Sequence, residues 1–157
     1  MELRFDARLH RHQRVLSDLM MPPQKPIVLV VAVALIDKQR RVLLAQRPAG
    51  KKMAGLWEFP GGKVEDNETP EQALVRELHE ELGITVDIAD LEPLAFASHT
   101  YDDFHLLMPL FDCPRWQGEL KGREGQALAW VSAADLNNYD MPPADLPLIE
   151  PLRRALK

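Results

Sequence analysis

From Ile27 to Ile36 the chain runs without a polar residue and is rich in β-branched side chains, the pattern of a strand buried on both faces. A central strand is predicted there. Asp37 to Arg40 reads as a turn, and Arg41 to Gln46 returns as a second strand. Arg47-Pro48-Ala49-Gly50-Lys51-Lys52 is a basic loop, and Leu56 to Phe59 a short extended piece leading into Gly61-Gly62. Beyond it the period changes from two to about four, because Leu74, Leu78 and Leu82 recur as one apolar stripe of a helix. Thr69 is placed to cap that helix, Pro70 suits its first position, Gln72 completes a capping box and Gly83 ends it.

After the helix, strands are expected near Ile84 to Ile88, Leu94 to Tyr101 and Phe104 to Phe111, with the last two joined as a hairpin at Asp102-Asp103. Leu120 to Gly125 is a loop and Ala127 to Ser132 another strand. The proline-rich run from Pro142 to Pro147 leads into a final helix reaching about Leu156, with Pro151 near its first turn, where a missing N–H costs least. Strands on both sides of a helix, with a second helix at the end, predict an α/β fold with a mixed β-sheet sandwiched between helices. One domain, residues 27–157, is expected.

Length and charge narrow the function classes. A chain of 157 residues fits one domain that buries roughly 70% of its unfolded surface. The single Cys113 cannot close an internal disulfide, and no Cys/His spacing marks a zinc site, which fits a reducing cytoplasm. The longest apolar run is too short to span a bilayer, so no membrane partner is expected. A formal charge of −5 argues against stable nucleic-acid binding through a broad basic face. Residues 1–26, with Arg4, Arg8, Arg11 and Arg14 among His10 and His12, lack an apolar signal core and read as a loosely docked extension.

The chemistry concentrates on the first helix. Glu77, Glu80 and Glu81 lie at relative positions zero, three and four, so their carboxylates share one face. Such a face is either merely solvated or held together by a cation. Arg76 can brace it, but one arginine does not neutralise three carboxylates, and a hard divalent cation with oxygen ligands would. The two glycines before the helix permit a close approach, so the Gly61 carbonyl can join the carboxylates as a ligand.

The wider spacing is specific. Gly62 is followed by Glu68, Arg76, Glu77, Leu78, Glu80, Glu81, Gly83 and Ile84 at every position that defines the Nudix box, and the chain here resembles the Nudix hydrolase family. The runs Leu43 to Pro48, Gly55 to Glu65, Gly122 to Gln126 and Pro142 to Ala144 resemble its MutT-type branch, which hydrolyses nucleoside triphosphates.

That resemblance implies attack of water on a phosphorus of a nucleoside triphosphate, giving a nucleoside monophosphate and pyrophosphate, with Mg²⁺ or Mn²⁺ as cofactor. The implied metal ligands are the Gly61 carbonyl, Glu77, Glu80, Glu81 and Glu124, and the catalytic set is these glutamates with Arg76. The general base is Glu77 or Glu124. Arg47 matches the family's phosphate-contacting arginine, and Lys63 and Lys52 add charge nearby. Phe59 and Tyr101 are candidates for packing on the base, while Trp57, Trp130, His99 and His105 read as structural, and Glu58 and Glu68 as braces for the loop and the box. The protein is expected to act as a monomer or homodimer.

Asp145 marks a departure, since the pattern specific for 8-oxo-guanine has Asn after Pro-Pro-Ala. Asn both donates and accepts, whereas ionised Asp only accepts. Oxidised purine triphosphates, chiefly 8-oxo-dGTP, are the expected substrates, in a role that cleans the nucleotide pool and protects DNA from mutation. CTP or oxidised dCTP is the close alternative, and dinucleotides or sugar nucleotides a more distant one.

Overall fold

The computed structural model describes residues 24–157. The expectation about the arginine-rich lead therefore falls outside the described residues, apart from Gln24, Lys25 and Pro26. Of these, Lys25 donates to the Tyr101 carbonyl at 2.8 Å and the Pro26 carbonyl accepts from the His105 amide at 2.9 Å.

The apolar run forms β1, Ile27–Leu35, and it is central as predicted. It pairs antiparallel with β4 (Gly61–Lys63) on one side and parallel with β6 (His105–Cys113) on the other. β5 (Glu92–Thr100) closes the far edge through an antiparallel hairpin with β6, where the Tyr101 amide donates to the Phe104 carbonyl across the Asp102-Asp103 turn. This four-stranded mixed sheet runs β4-β1-β6-β5. β2 (Val42–Gln46), β3 (Trp57–Glu58) and β7 (Leu128–Val131) form a separate three-stranded antiparallel sheet. The α/β class holds, with the expected sheet divided in two. Alternation along a strand reports which side is buried, not which strand lies beside it, so the division left no mark in the sequence.

Two apolar clusters fill the molecule. Helix α1 (Pro70–Leu82) lays Leu74, Leu78 and Leu82 on Val31, Val33, Leu35, Phe111 and Cys113. The opposite face of the mixed sheet, with Ala32, Ala34, Met108 and Leu110, packs against Val42 and Leu44 of the second sheet and against Leu148 and Leu152 beside and within helix α2 (Ile149–Ala155). The alternating residues of β1 thus serve different cores, which is why this strand needs no polar face.

The predicted strand at Ile84 to Ile88 is corrected. Ile84 and Val86 are buried as the alternation required, but Thr85 finds a single partner, Gln117, with reciprocal amide bonds of 2.9 Å. Asp87 then accepts from the Ala89 amide and turns the chain into a one-turn 3₁₀ helix, Ile88–Asp90. The local side-chain bond competes with strand extension and prevails. Trp57 and Trp130 are half-buried, packed on Tyr139 and Trp116, and His105 is bonded by Ser98 and Thr100 at 2.7 Å each. Among the described residues no helix is long and apolar enough to cross a membrane.

Candidate active site

The glycines at the site are dictated by contact. A side chain at Gly61, where φ is +156°, would place its Cβ 1.9 Å from the Val31 carbonyl oxygen, and one at Gly62 would meet the Glu77 carboxyl carbon at 2.4 Å. Glycine at 61 is what lets β4 lie against the backbone of β1, and glycine at 62 leaves room for the Glu77 carboxylate of α1. The helix is held in place by the predicted devices: Thr69 Oγ1 accepts from the Gln72 amide, the Gln72 side chain accepts from the Thr69 amide, and Gly83 ends the helix at φ 71°.

Arg76 gathers the acidic groups. It donates to both oxygens of Glu68 at 2.6 and 3.1 Å, to Glu77 at 3.0 Å and to the Lys63 carbonyl at 3.2 Å, and Glu80 stands 3.5 Å away. Glu68 raises the Arg76 pKa further above its ordinary value, and in return Arg76 lowers that of Glu68. Glu68 therefore braces the box, as expected.

Glu81 lies deeper, beside β4. Burial, followed by the charges of Glu77, Glu124 and Glu58, lifts its carboxyl to about 8, against an opposing hydrogen bond from the Gly61 amide. Glu77 is also raised by burial, with Arg76 opposing. Glu124 reaches this group from a distant loop whose anchoring the sequence reading overlooked. Gln126 is the key: its side-chain amide donates to the Glu81 carbonyl at 3.1 Å, and its side-chain oxygen accepts the Glu124 amide at 2.9 Å. The Arg123 amide adds a bond to the same Glu81 carbonyl at 3.0 Å. A Gln within the Gly122–Gln126 segment was the available signal.

Gly61, Gly62, Glu77, Glu81, Glu124 and Gln126 line one cleft of about 430 Å³, together with Arg47, Lys51, Glu58, Phe59, Lys63, Met108 and Asp145, whereas Arg76 and Glu80 stand outside its lining. Lys63 is exposed at the rim. Phe59 is buried, with its amide donating to Asp145 Oδ1 at 3.4 Å. Asp145 is 5% exposed, the single buried charged side chain among the described residues, and burial, with Glu58 next, raises its carboxyl to about 7. Tyr101 stands back from the lining, edge-on to His99 and tilted against Phe104. Arg47 donates to the Lys52 carbonyl at 2.7 Å and to both oxygens of Glu58 at 3.0 and 3.2 Å. Its guanidinium is thus turned toward its own loop. Glu58, raised by burial against the pull of Arg47, braces that loop.

As they stand, no three His, Cys, Asp or Glu side chains among the described residues form a ready metal cage. Arg76 sits among the carboxylates, and Glu80 is exposed. The donor chemistry nevertheless fits a hard divalent cation. The donors are all oxygen, and the carboxylates are close enough to penalise each other's ionisation, a cost that a cation would relieve.

The cleft thus sets an acidic helix face and a glycine strand beside a buried carboxyl group. A model of the NUDIX domain matches residues 31–151, and the chain belongs to the Nudix family. The CTP pyrophosphohydrolase of Escherichia coli is 44% identical over 122 residues, covering 76% of this chain and 87% of that protein. The 8-oxo-dGTP diphosphatase of the same organism is 43% identical over 128 residues, covering 80% and 97%. Among solved structures, the E. coli ORF135 protein aligns with a TM-score of 0.73 at 39% identity, covering 85% of this chain and 94% of that one. A MutT from work on Aliivibrio salmonicida and Vibrio cholerae aligns with a TM-score of 0.68 at 38% identity, covering 82% and 98%. The chain is a Nudix hydrolase.

Proposed function

We propose that the protein hydrolyses nucleoside triphosphates to a nucleoside monophosphate and pyrophosphate in a Mg²⁺-dependent reaction, with 8-oxo-dGTP as favoured substrate and nucleotide-pool cleaning as its role. The observation that carries this reading is that one cleft joins the Glu77, Glu81 and Glu124 carboxylates to a buried Asp145. The first group suits a phosphate chain with its cations, and the second suits a base edge.

The Gly61 carbonyl, Glu77, Glu80 and Glu81 would hold the cation. Mg²⁺ held there would supply charge neutralisation of the phosphates and a lowered pKa for the attacking water. Arg76 keeps Glu77 and Glu80 oriented. Glu77 is committed to Arg76, so Glu124 takes the water proton as the new P–O bond forms and the bridging P–O bond breaks. At the other end, Phe59 walls the base and Asp145 reads its edge. A neutral Asp145 both donates and accepts, as Asn does, and its raised pKa keeps part of it neutral near pH 7.

Asp145 also supports a second reading. Once ionised it only accepts, which favours the amino group of cytosine, and one relative at 44% identity is a CTP pyrophosphohydrolase. The test is a triphosphate panel scored by kcat/KM in Mg²⁺, with products identified. Preference for 8-oxo-dGTP with release of pyrophosphate is expected. A clear preference for CTP would replace the substrate assignment, and release of orthophosphate alone would contradict the reaction.

A further inference from the structure

The cleft is lined by Glu58, Glu77, Glu81, Glu124 and Asp145 against Arg47, Lys51 and Lys63. A phosphate chain entering it needs protein cations that are not already engaged. Arg47 is partly engaged, because the Lys52 carbonyl takes its Nε donor and Glu58 its Nη1, leaving Nη2 toward the cleft. Lys51 is differently placed. Its ammonium reaches across the mouth to Glu124 Oε2 at 3.4 Å, and the two side chains are 55% and 45% exposed. So long and exposed a pair contributes little to stability and leaves the ammonium donors open to a better partner.

Both ends of the pair are held in place by backbone. The Lys51 loop closes on itself through Arg47 amide to Leu56 carbonyl and Gly55 amide to Arg47 carbonyl bonds, each 2.9 Å, and Gln46 clasps the Gly55 carbonyl at 3.0 Å. The Glu124 loop is tied to the end of α1 through Gln126 and Arg123. A flexible lysine thus starts from a fixed stem, opposite a carboxylate on an equally fixed loop.

We propose that Lys51 is a phosphate-binding residue, and that its pair with Glu124 is a resting contact which phosphate oxygens replace, releasing the Glu124 carboxylate for proton uptake. On this account Arg47 is a positioning residue, presenting Lys51 through the Lys52 carbonyl. The inference rests on the triphosphatase reading above and assigns a cation that meets the phosphate chain.

The test uses the full-length protein with Mg²⁺ and a nucleoside triphosphate whose α,β bridge is a methylene group, so that binding is measured by calorimetry without turnover. Lys51→Met should weaken binding about tenfold, as for loss of a charge-assisted hydrogen bond, while Lys51→Arg stays within about threefold of the parent. Both should keep the parent melting temperature, because the side chain is exposed. The effect of Glu124→Gln on affinity should be more favourable, by about threefold or more, with Lys51 present than in the Lys51→Met background. Unchanged affinity in Lys51→Met overturns the assignment, and equal effects of Glu124→Gln in both backgrounds overturn the resting contact. Turnover of the parent protein reports separately on the triphosphatase reading, so a working hydrolase indifferent to Lys51 contradicts this inference alone.

Discussion

The two ends of the cleft are built in opposite ways. At the acidic end, Gly61, Gly62, Arg76, Glu77, Glu80 and Glu81 come from one continuous stretch, and a single arginine links Glu68, Glu77, Glu80 and the Lys63 carbonyl. At the other end, proposed to meet the base, the Asp145 carboxyl accepts from the Phe59 amide across 86 residues of sequence, and that 3.4 Å bond is the side chain's one hydrogen bond among the described residues. The acidic end is half-exposed and rich in mutual charge, whereas Asp145 is buried with little to compensate it. On the proposed function, most of the reaction chemistry is therefore encoded as spacing along the chain, with Glu124 added from a distant loop, and substrate choice as long-range packing, and the two ends should be separable by mutation.

The largest effect is expected at Glu81, where Glu81→Gln should lower kcat by about 10² or more while the ratio of kcat/KM between 8-oxo-dGTP and CTP stays that of the parent. A changed ratio would show that the ends are not independent. Gly62→Ala comes next. Its Cβ would intrude on the Glu77 carboxylate, so steady-state kinetics should show a loss on the order of tenfold or more. Thermal denaturation should show little change, since the group displaced is a side-chain end. If the fold is lost instead, Gly62 is a structural residue first.

A smaller effect belongs to the base end and depends on pH. Asp145 ordinarily titrates near 3.8 and is raised to about 7 in the folded chain, so folding favours its neutral form. Its contribution to stability is fully present below about pH 4 and is lost as pH rises toward 7. Asp145→Asn lacks that loss, so its melting temperature should exceed the parent's at pH 8 and match it near pH 4. A constant difference across that range would remove Asp145 titration from the account. The smallest effect is Thr69→Ala, which removes the capping box at a cost of about 1 kcal/mol in chemical denaturation and leaves the substrate ratio untouched.

The same contrast explains what the sequence made legible. The helix from Pro70 to Leu82, its caps and its glutamate face followed from residues within a few turns of one another, and each local signal agreed with the fold. The strand expected at Ile84 to Ile88 did not form, because alternation ensured burial of Ile84 and Val86 but supplied no partner beyond Gln117. Arg47 was readable as a cation near the site, yet its bonds to Glu58 depend on how β2 and β3 pair. Gln126, Lys51 and the retreat of Tyr101 behind the lining likewise depend on loop geometry that no local pattern specifies.

The most direct test of the two-ended cleft is the ratio of kcat/KM for 8-oxo-dGTP to that for CTP, compared between the parent and Asp145→Asn at fixed pH and Mg²⁺. The account predicts a shift toward 8-oxo-dGTP of about tenfold, with kcat on the better substrate little changed. An unchanged ratio, or an equal fall in turnover of both substrates, would contradict it.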